Sequence, residues 1–511
     1  MSAFLLDQIV GIACILSYKE AKNNRSKYII IICFKKCCIR FGVVSVLFNS
    51  YEFIFLFLPI ILCGYFMLNR KSSEWGHYWL VLASLFFYGY WNPAYLGLIG
   101  FSICVNFCFG RYFIYGKNTK VPLCLGIIFN IALLGYYKYT DFFITNINQL
   151  FGFQYAMHNI VLPLGISFFT FTQIAYLVET YRGKVNNHHF ASYVLFVTYF
   201  PHLLAGPIIH YEDVMPQFLD KRLKSVNWEN MSRGMFLFSL GLFKKVVIAD
   251  GLAVWADSGY MALEKMDLNM IAAWATALAY TFQLYYDFSG YTDMAIGISL
   301  MLNIKLPINF YSPYKAASII EFWRRWHITL SSFLRDYLYI PLGGNRKGLF
   351  QKCVNIFVTM LIGGLWHGAN WTFVLWGGTH GLGIVCNHLF RALNLSINKW
   401  IGILMTFLFV NFAWVLFRAP DCAQALKMYS NMLVWHGYEI SLNALPAAMP
   451  DGRKEIVVEV FLFIVAVFLP NSLEIVRYMK MNRKWAVLAG AVLSVAICFL
   501  TKNTSFLYYQ F

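Results

Sequence analysis

Apolar segments follow one another along nearly the whole chain, and this restricts it to helices packed in a membrane. VLFNSYEFIFLFLPIILCGYFMLNR, Val46 to Arg70, is a clean span that ends in the basic pair Arg70-Lys71. Further apolar segments follow at about 78–92, 94–114, 121–138, 160–180, 191–211, 231–256, 271–287, 290–304, 353–366, 370–391, 400–417, 454–470 and 485–501. Lipid offers no partner for backbone polar groups, so runs of this kind read as helices, with about 20 residues needed per crossing. Several runs are too short or too interrupted to cross. Phe200-Pro201-His202 with Gly206-Pro207, and Ile340-Pro341 with Gly343-Gly344, read as broken or re-entrant elements. Irregular backbone at membrane depth is tolerated where it is buried in protein or lines a wet cavity, so these breaks point to a cavity. The fold class is an all-α polytopic membrane protein.

Composition agrees. Hydrophobic residues make up 59% of the 511 and charged residues 13%, against roughly a quarter charged in soluble domains. The net charge of +17 does not imply nucleic acid, because the basic residues sit in short clusters between apolar runs, as the positive-inside rule expects. Arg70-Lys71, Lys221-Arg222-Lys224, Arg324-Arg325, Arg346-Lys347 and Arg477 to Lys484 mark the cytoplasmic face. The 12 cysteines form no metal-ligand spacing, so neither a metal site nor a bound cofactor is expected. Residues 1–45 differ from the rest: Lys35, Lys36, Cys37, Cys38 and Arg40 interrupt a mediocre apolar run. They read as an atypical extension with a mis-assigned start, Val43, Val44 or Val46 being the alternative initiator, ahead of a single domain over 46–511.

Two histidines carry the chemical interest. Read as a helix, EFWRRWHITLSSFLRDYLYIPLGG, Glu321 to Gly344, places Trp323, Trp326, His327, Leu330, Leu334 and Tyr337 on one apolar stripe, so that His327 faces protein. His367, in GGLWHGANW, lies within an uncharged run from about Ile356 to Leu375. An ionisable group at that depth is costly and marks function or a satisfied polar contact. His77, His188, His189 and His436 lie near loops and read as structural. Asp287 and Asp293, in DFSGYTD, read as buried partners of an arginine or as the end of a broken helix rather than as catalysts.

The motifs QLYYDFSGYTDMAIGISLMLNI, NFYSPYKAASIIEFWRRWHITLSSFLRDYLYIPLGGNRKG and GGLWHGANWTFVLWGGTHG, in this order, resemble the membrane-bound O-acyltransferase family, in particular its bacterial branch typified by alginate O-acetyltransferase. The likeness runs from about Val46 to Phe511. It implies a ring of about 11–13 transmembrane and re-entrant helices around a central tunnel, in which a cytoplasmic acyl thioester meets a hydroxyl acceptor from the other side. It also maps the family's two catalytic positions onto His327 and His367. An alcohol attacks a thioester slowly at neutral pH unless a base takes its proton, a contribution of about 10² to 10⁴ in rate. His367 fits the base; His327 would orient the acceptor or polarise the thioester carbonyl.

The donor implied is acetyl-CoA, with Arg324, Arg325, Arg335, Arg346 and Lys347 as candidates to hold its phosphates; ordinary positive-inside charges are the alternative. The acceptor implied is an extracellular or cell-wall polysaccharide, served by a separate extracytoplasmic partner of the SGNH type, in a bacterial cytoplasmic membrane. The terminal FLYYQF resembles an aromatic motif of this branch, which makes Tyr508 a candidate acyl carrier, with an interfacial anchor as the bland reading. D-alanyl transfer to teichoic acid is the runner-up within the family. A proton-coupled transporter or polysaccharide exporter is the alternative from another class, although no internal repeat supports it.

Overall fold

The described residues are mostly helical, and several charged and amide side chains inside the apolar runs find partners within the protein. The computed structural model describes residues 47–116, 119–185, 189–435, 448–500 and 506–507. The expected extension over 1–45 and the candidate Tyr508 lie outside them, as do His188 and His436. Leu47–Phe511 forms one compact unit.

After a π-helical turn at Phe53–Phe57 come α1 (Leu58–Asn69), α2 (Ser73–Trp91), α3 (Ala94–Tyr115), α4 (Lys120–Phe151), α5 (Ile166–Tyr181), α6 (Phe190–Thr198), α7 (Phe200–Leu203) and α8 (Tyr211–Leu219). The second part of the chain contains α9 (Trp228–Phe243), α10 (Asp250–Lys265), α11 (Met270–Met301), α12 (Ile319–Trp323), α13 (Ile328–Leu334), α14 (Gly348–His367), α15 (Trp371–Ala392), α16 (Lys399–Arg418) and α17 (Cys422–Leu433). It ends with α18 (Arg453–Phe468), α19 (Ser472–Tyr478) and α20 (Arg483–Cys498).

By length and apolarity alone, α3, α4, α14 and α16 each suffice to cross a membrane, and α18 with α19 would make a fifth span bent by 55°. The remaining helices are shorter or carry polar residues that face protein. Buried Asn106 and Asn130 show how such residues are used: each amide donates to the other's Oδ1, at 3.1 and 2.6 Å, and joins α3 to α4.

The apolar runs expected at 271–287 and 290–304 are one helix. The 32-residue α11 is buried over almost its whole length, and neither Asp287 nor Asp293 ends it, because each meets a lysine. Lys245 Nζ lies 2.7 Å from Asp287 Oδ1 and 2.8 Å from Asp250 Oδ1, while Lys244 Nζ lies 2.7 Å from Asp293 Oδ2. Both lysines sit on the π-helical stretch Lys244–Ala249 that links α9 to α10. Buried ion pairs are present, but the cations are lysines where an arginine was expected, and neither carboxylate marks a helix end. Gly290 causes no break either, because α9 crosses α11 there; a methyl on Gly241 would stand 2.6 Å from the Gly290 carbonyl oxygen.

α4 likewise outruns the expected 121–138, since Asp141 accepts the backbone N–H groups of His158 at 2.8 Å and Ile160 at 3.3 Å. Gly152, at φ +69°, then caps it in the left-handed region. The expected break near Pro201 is present: α6 and α7 are short, and 204–210 is a non-helical stretch that is almost wholly buried.

Removing one partner from a buried ion cluster strands the others. Lys245, 2% exposed, is expected to cost about 3–5 kcal/mol when replaced by Met. Thermal unfolding of the detergent-solubilised protein measures this, and a Lys245→Met variant as stable as the parent contradicts the assignment.

Candidate active site

The segment around His327 is not the continuous helix expected from Glu321 to Gly344. α12 ends at Trp323, the chain turns, and His327 takes φ +44° and ψ 53° at the N-cap of α13. A non-glycine residue in the left-handed region is strained, and such strain persists where surrounding contacts over-determine it. Here the segment beginning at Asn309 supplies those contacts. Ile328 N–H donates to Asn309 O at 3.0 Å and Tyr311 N–H to Arg325 O at 2.9 Å. The turn carries His327 into the interior, 1% exposed, so the expectation that it faces protein holds although the helix is broken.

The Asn309 side chain, wholly buried, fixes the chemistry of the ring. Its Oδ1 accepts from Thr329 N at 3.3 Å and Thr329 Oγ1 at 2.9 Å, and it lies 3.1 Å from His327 Nδ1. The Thr329 hydroxyl itself accepts from Ile208 N–H at 3.0 Å, so its proton points to Asn309. A backbone N–H can only donate, which identifies the Asn309 atom as the carbonyl oxygen. His327 Nδ1 must then be the N–H donor, and the basic lone pair of the neutral ring is on Nε2. Neither Asn309 nor Thr329 was singled out in the sequence, although Asn309 opens the second of the three motifs.

His367 is the last residue of α14 and is 6% exposed. The antiparallel α14 and α15 meet backbone to backbone here, a methyl on Gly377 standing 3.0 Å from Gly364 Cα, and this close crossing sets where the helix end lies. Aromatic rings enclose the imidazole: Trp366 at 5.0 Å, Trp376 at 5.1 Å and Phe417 at 5.2 Å between centroids. Phe288 packs edge-on to His327 at 4.8 Å.

The two histidine rings lie 6.5 Å apart, centroid to centroid. Hydrogen-bond reach is about 2.6–3.2 Å, so one oxygen between them can contact both rings. A cavity of about 70 Å³, lined by Lys138, Leu162 to Phe168, Leu204, Trp366 and His367, reaches His367, while His327 does not line it. Another buried histidine, His380, accepts from Trp323 Nε1 at 3.2 Å and meets Trp376 edge-on, and the first contact ties α12 to α15.

A buried imidazole at a cavity can take the proton of a hydroxyl, and the comparisons with known proteins identify the acyl-transfer class. The model of the membrane-bound O-acyltransferase family matches residues 122–420. A peptidoglycan O-acetyltransferase of Helicobacter pylori is 42% identical over 91% of this chain and 97% of its own length.

The chain belongs to the membrane-bound O-acyltransferase family.

It is therefore a multi-pass membrane O-acyltransferase, and the exporter reading falls away. A probable alginate O-acetylase of Pseudomonas aeruginosa is similar as well, 41% identical over 77% of this chain and 76% of its own. The likeness to a teichoic acid D-alanyltransferase of Bacillus subtilis is more distant, 27% over 51% of this chain and 69% of the relative.

Of the candidate donor-binding residues, Arg325 pairs with Glu321 at 2.9 Å and Arg335 with Asp336 at 2.7 Å. Arg324, Arg346 and Lys347 are exposed, with no carboxylate partner among the described residues. Asp287 has a second contact, its Oδ2 accepting Leu507 N–H at 3.1 Å. Lys245 Nζ lies 4.9 Å above the Phe506 ring. The residue before the candidate carrier is thus held at the ion cluster of α11.

Asn309→Ala removes the group that selects the His327 tautomer, and acyl transfer is expected to fall about tenfold to a hundredfold, as for other residues that orient a ligating or catalytic imidazole. Initial rates, normalised to monodisperse protein, test this; an unchanged rate refutes the tautomer argument.

Proposed function

We propose that this enzyme transfers an acetyl group from cytoplasmic acetyl-CoA across a bacterial cytoplasmic membrane to a hydroxyl of an extracellular or cell-wall polysaccharide. The observation that carries this reading is the pair of buried imidazoles, 6.5 Å apart, beside a cavity in a chain of the O-acyltransferase family. Peptidoglycan is the first acceptor to test, because the relative that bears that name aligns with 91% of this chain.

The acceptor oxygen attacks the thioester carbonyl carbon as its proton passes to His367. The C–S bond then breaks, and the thiolate takes the proton back from the imidazolium, so coenzyme A leaves as the thiol. The acceptor hydroxyl has one proton, so it hydrogen-bonds to the lone pair on His327 Nε2 as the acceptor is oriented and turns to His367 when the oxygen attacks; polarising the carbonyl would need an N–H at His327 Nε2. Arg324, Arg346 and Lys347 are the cations available to the phosphates of the donor. The chain contains no segment read as an SGNH-type domain, and a separate partner of that kind completes the transfer. Tyr508 would carry the acetyl group onward as a phenyl ester.

Surface-glycan O-acetyl content is to be measured in cells carrying the parent protein, His327→Ala or His367→Ala. Loss of at least nine-tenths in both variants is expected, and equal acetylation in all three excludes the mechanism. Incubation with labelled acetyl-CoA separates the donor question, since label transfer from a carrier-protein thioester instead would favour D-alanyl-type chemistry. A labelled adduct at Tyr508, lost in Tyr508→Phe, supports the carrier role; full activity of Tyr508→Phe without any adduct removes it.

A further inference from the structure

Lys138 lies in the middle of α4, a helix long and apolar enough to span a membrane. A cation there is expensive and needs a partner. No carboxylate pairs with Lys138 among the described residues. Its ammonium instead donates to the backbone carbonyls of Trp366 at 2.7 Å and His367 at 2.9 Å, with Ser167 Oγ 3.5 Å away. The next residue continues the pattern: Tyr139 Oη donates to Leu365 O at 2.7 Å. One turn and two turns further on, Phe142 packs on Trp371 at 5.8 Å, and Asn146 Oδ1 accepts from Trp371 Nε1 at 2.8 Å.

One face of α4 therefore holds the turn from α14 to α15 from its last three helical carbonyls to the first residue of α15. The final carbonyls of a helix have no partner within it and form the negative end of its dipole. A lysine is the one group here that meets two of them and brings the opposite charge. Lys138 also lines the cavity beside His367, together with the segment Leu162 to Gly165.

We propose that Lys138 is a positioning residue: it fixes the end of α14, and with it His367, at the wall of the cavity through which the hydroxyl acceptor approaches. This rests on the reading of His367 as the base. The role needs both the charge and two or more donors. Arginine can keep these, methionine keeps the length and loses them, and Tyr139→Phe removes a neighbouring carbonyl contact without touching charge.

The test is O-acetyl content of surface glycan in cells that lack the native gene and carry the full-length parent, Lys138→Met, Lys138→Arg, Tyr139→Phe or His367→Ala. Values are divided by the amount of monodisperse protein recovered in detergent. Lys138→Met is expected to lose at least tenfold per folded molecule, Lys138→Arg to recover a third or more of the parent's value, and Tyr139→Phe to lose less than threefold. A purely structural lysine would lower protein yield and leave activity per folded molecule unchanged. The proposal is overturned if Lys138→Met keeps more than half of the parent's specific activity, or if Lys138→Arg is no better than Lys138→Met. If His367→Ala is as active as the parent, the reading of His367 fails, and the positioning role falls with it. An inactive His367→Ala alongside a fully active Lys138→Met removes the positioning role alone.

Discussion

A buried polar group in an apolar bundle must find its partner inside the protein, and this requirement determines the arrangement of most of what has been described. α11 runs unbroken through the interior because Asp287 and Asp293 are matched by Lys245 and Lys244. α3 and α4 adhere through a reciprocal pair of asparagines. The end of α14 is held because its carbonyls find the donors of Lys138 and Tyr139. Apolar surface drives none of these choices specifically, since neighbouring apolar side chains are nearly interchangeable with lipid. Polar contacts fix register and direction instead.

The site follows the same logic at closer range. Asn309 is one amide that serves the backbone of α13, the Thr329 hydroxyl and the Nδ1 of His327. Through Thr329 it also reaches the buried non-helical stretch at Ile208. Three separate pieces of chain thereby agree on the orientation of one imidazole. The strained backbone at His327 belongs to this arrangement: a regular helix through Arg324 to Ile328 would leave no turn to pair with Asn309 and Tyr311.

Much of this was legible in the sequence. The apolar runs gave the membrane class, and the two histidines stood out because each was a polar residue in an apolar setting. The breaks at Pro201 and Gly206 were readable for the same reason, since proline and glycine act locally. Other features were hidden. The 3.6-residue periodicity around His327 suggested a helix that the structure interrupts, because the pairing that overrides it comes from residues about 18 positions earlier in the chain. The apolar runs bounded at 287 and 138 fell short of α11 and α4, with Asp287, Lys138 and Asp141 at or just past their edges. Each has a distant partner that local sequence cannot reveal. Asn309 escaped notice because a buried asparagine is distinguished by what it meets.

The C-terminal tail is gripped at Asp287 through the amide nitrogen of Leu507, and a main-chain donor is common to every residue but proline. Such a grip is indifferent to the side chain at that place and sensitive to the direction of the strand. The main chain at Leu507 is thus registered against α11 like a thread by its weave, and proline is the one replacement there that would take away the knot itself.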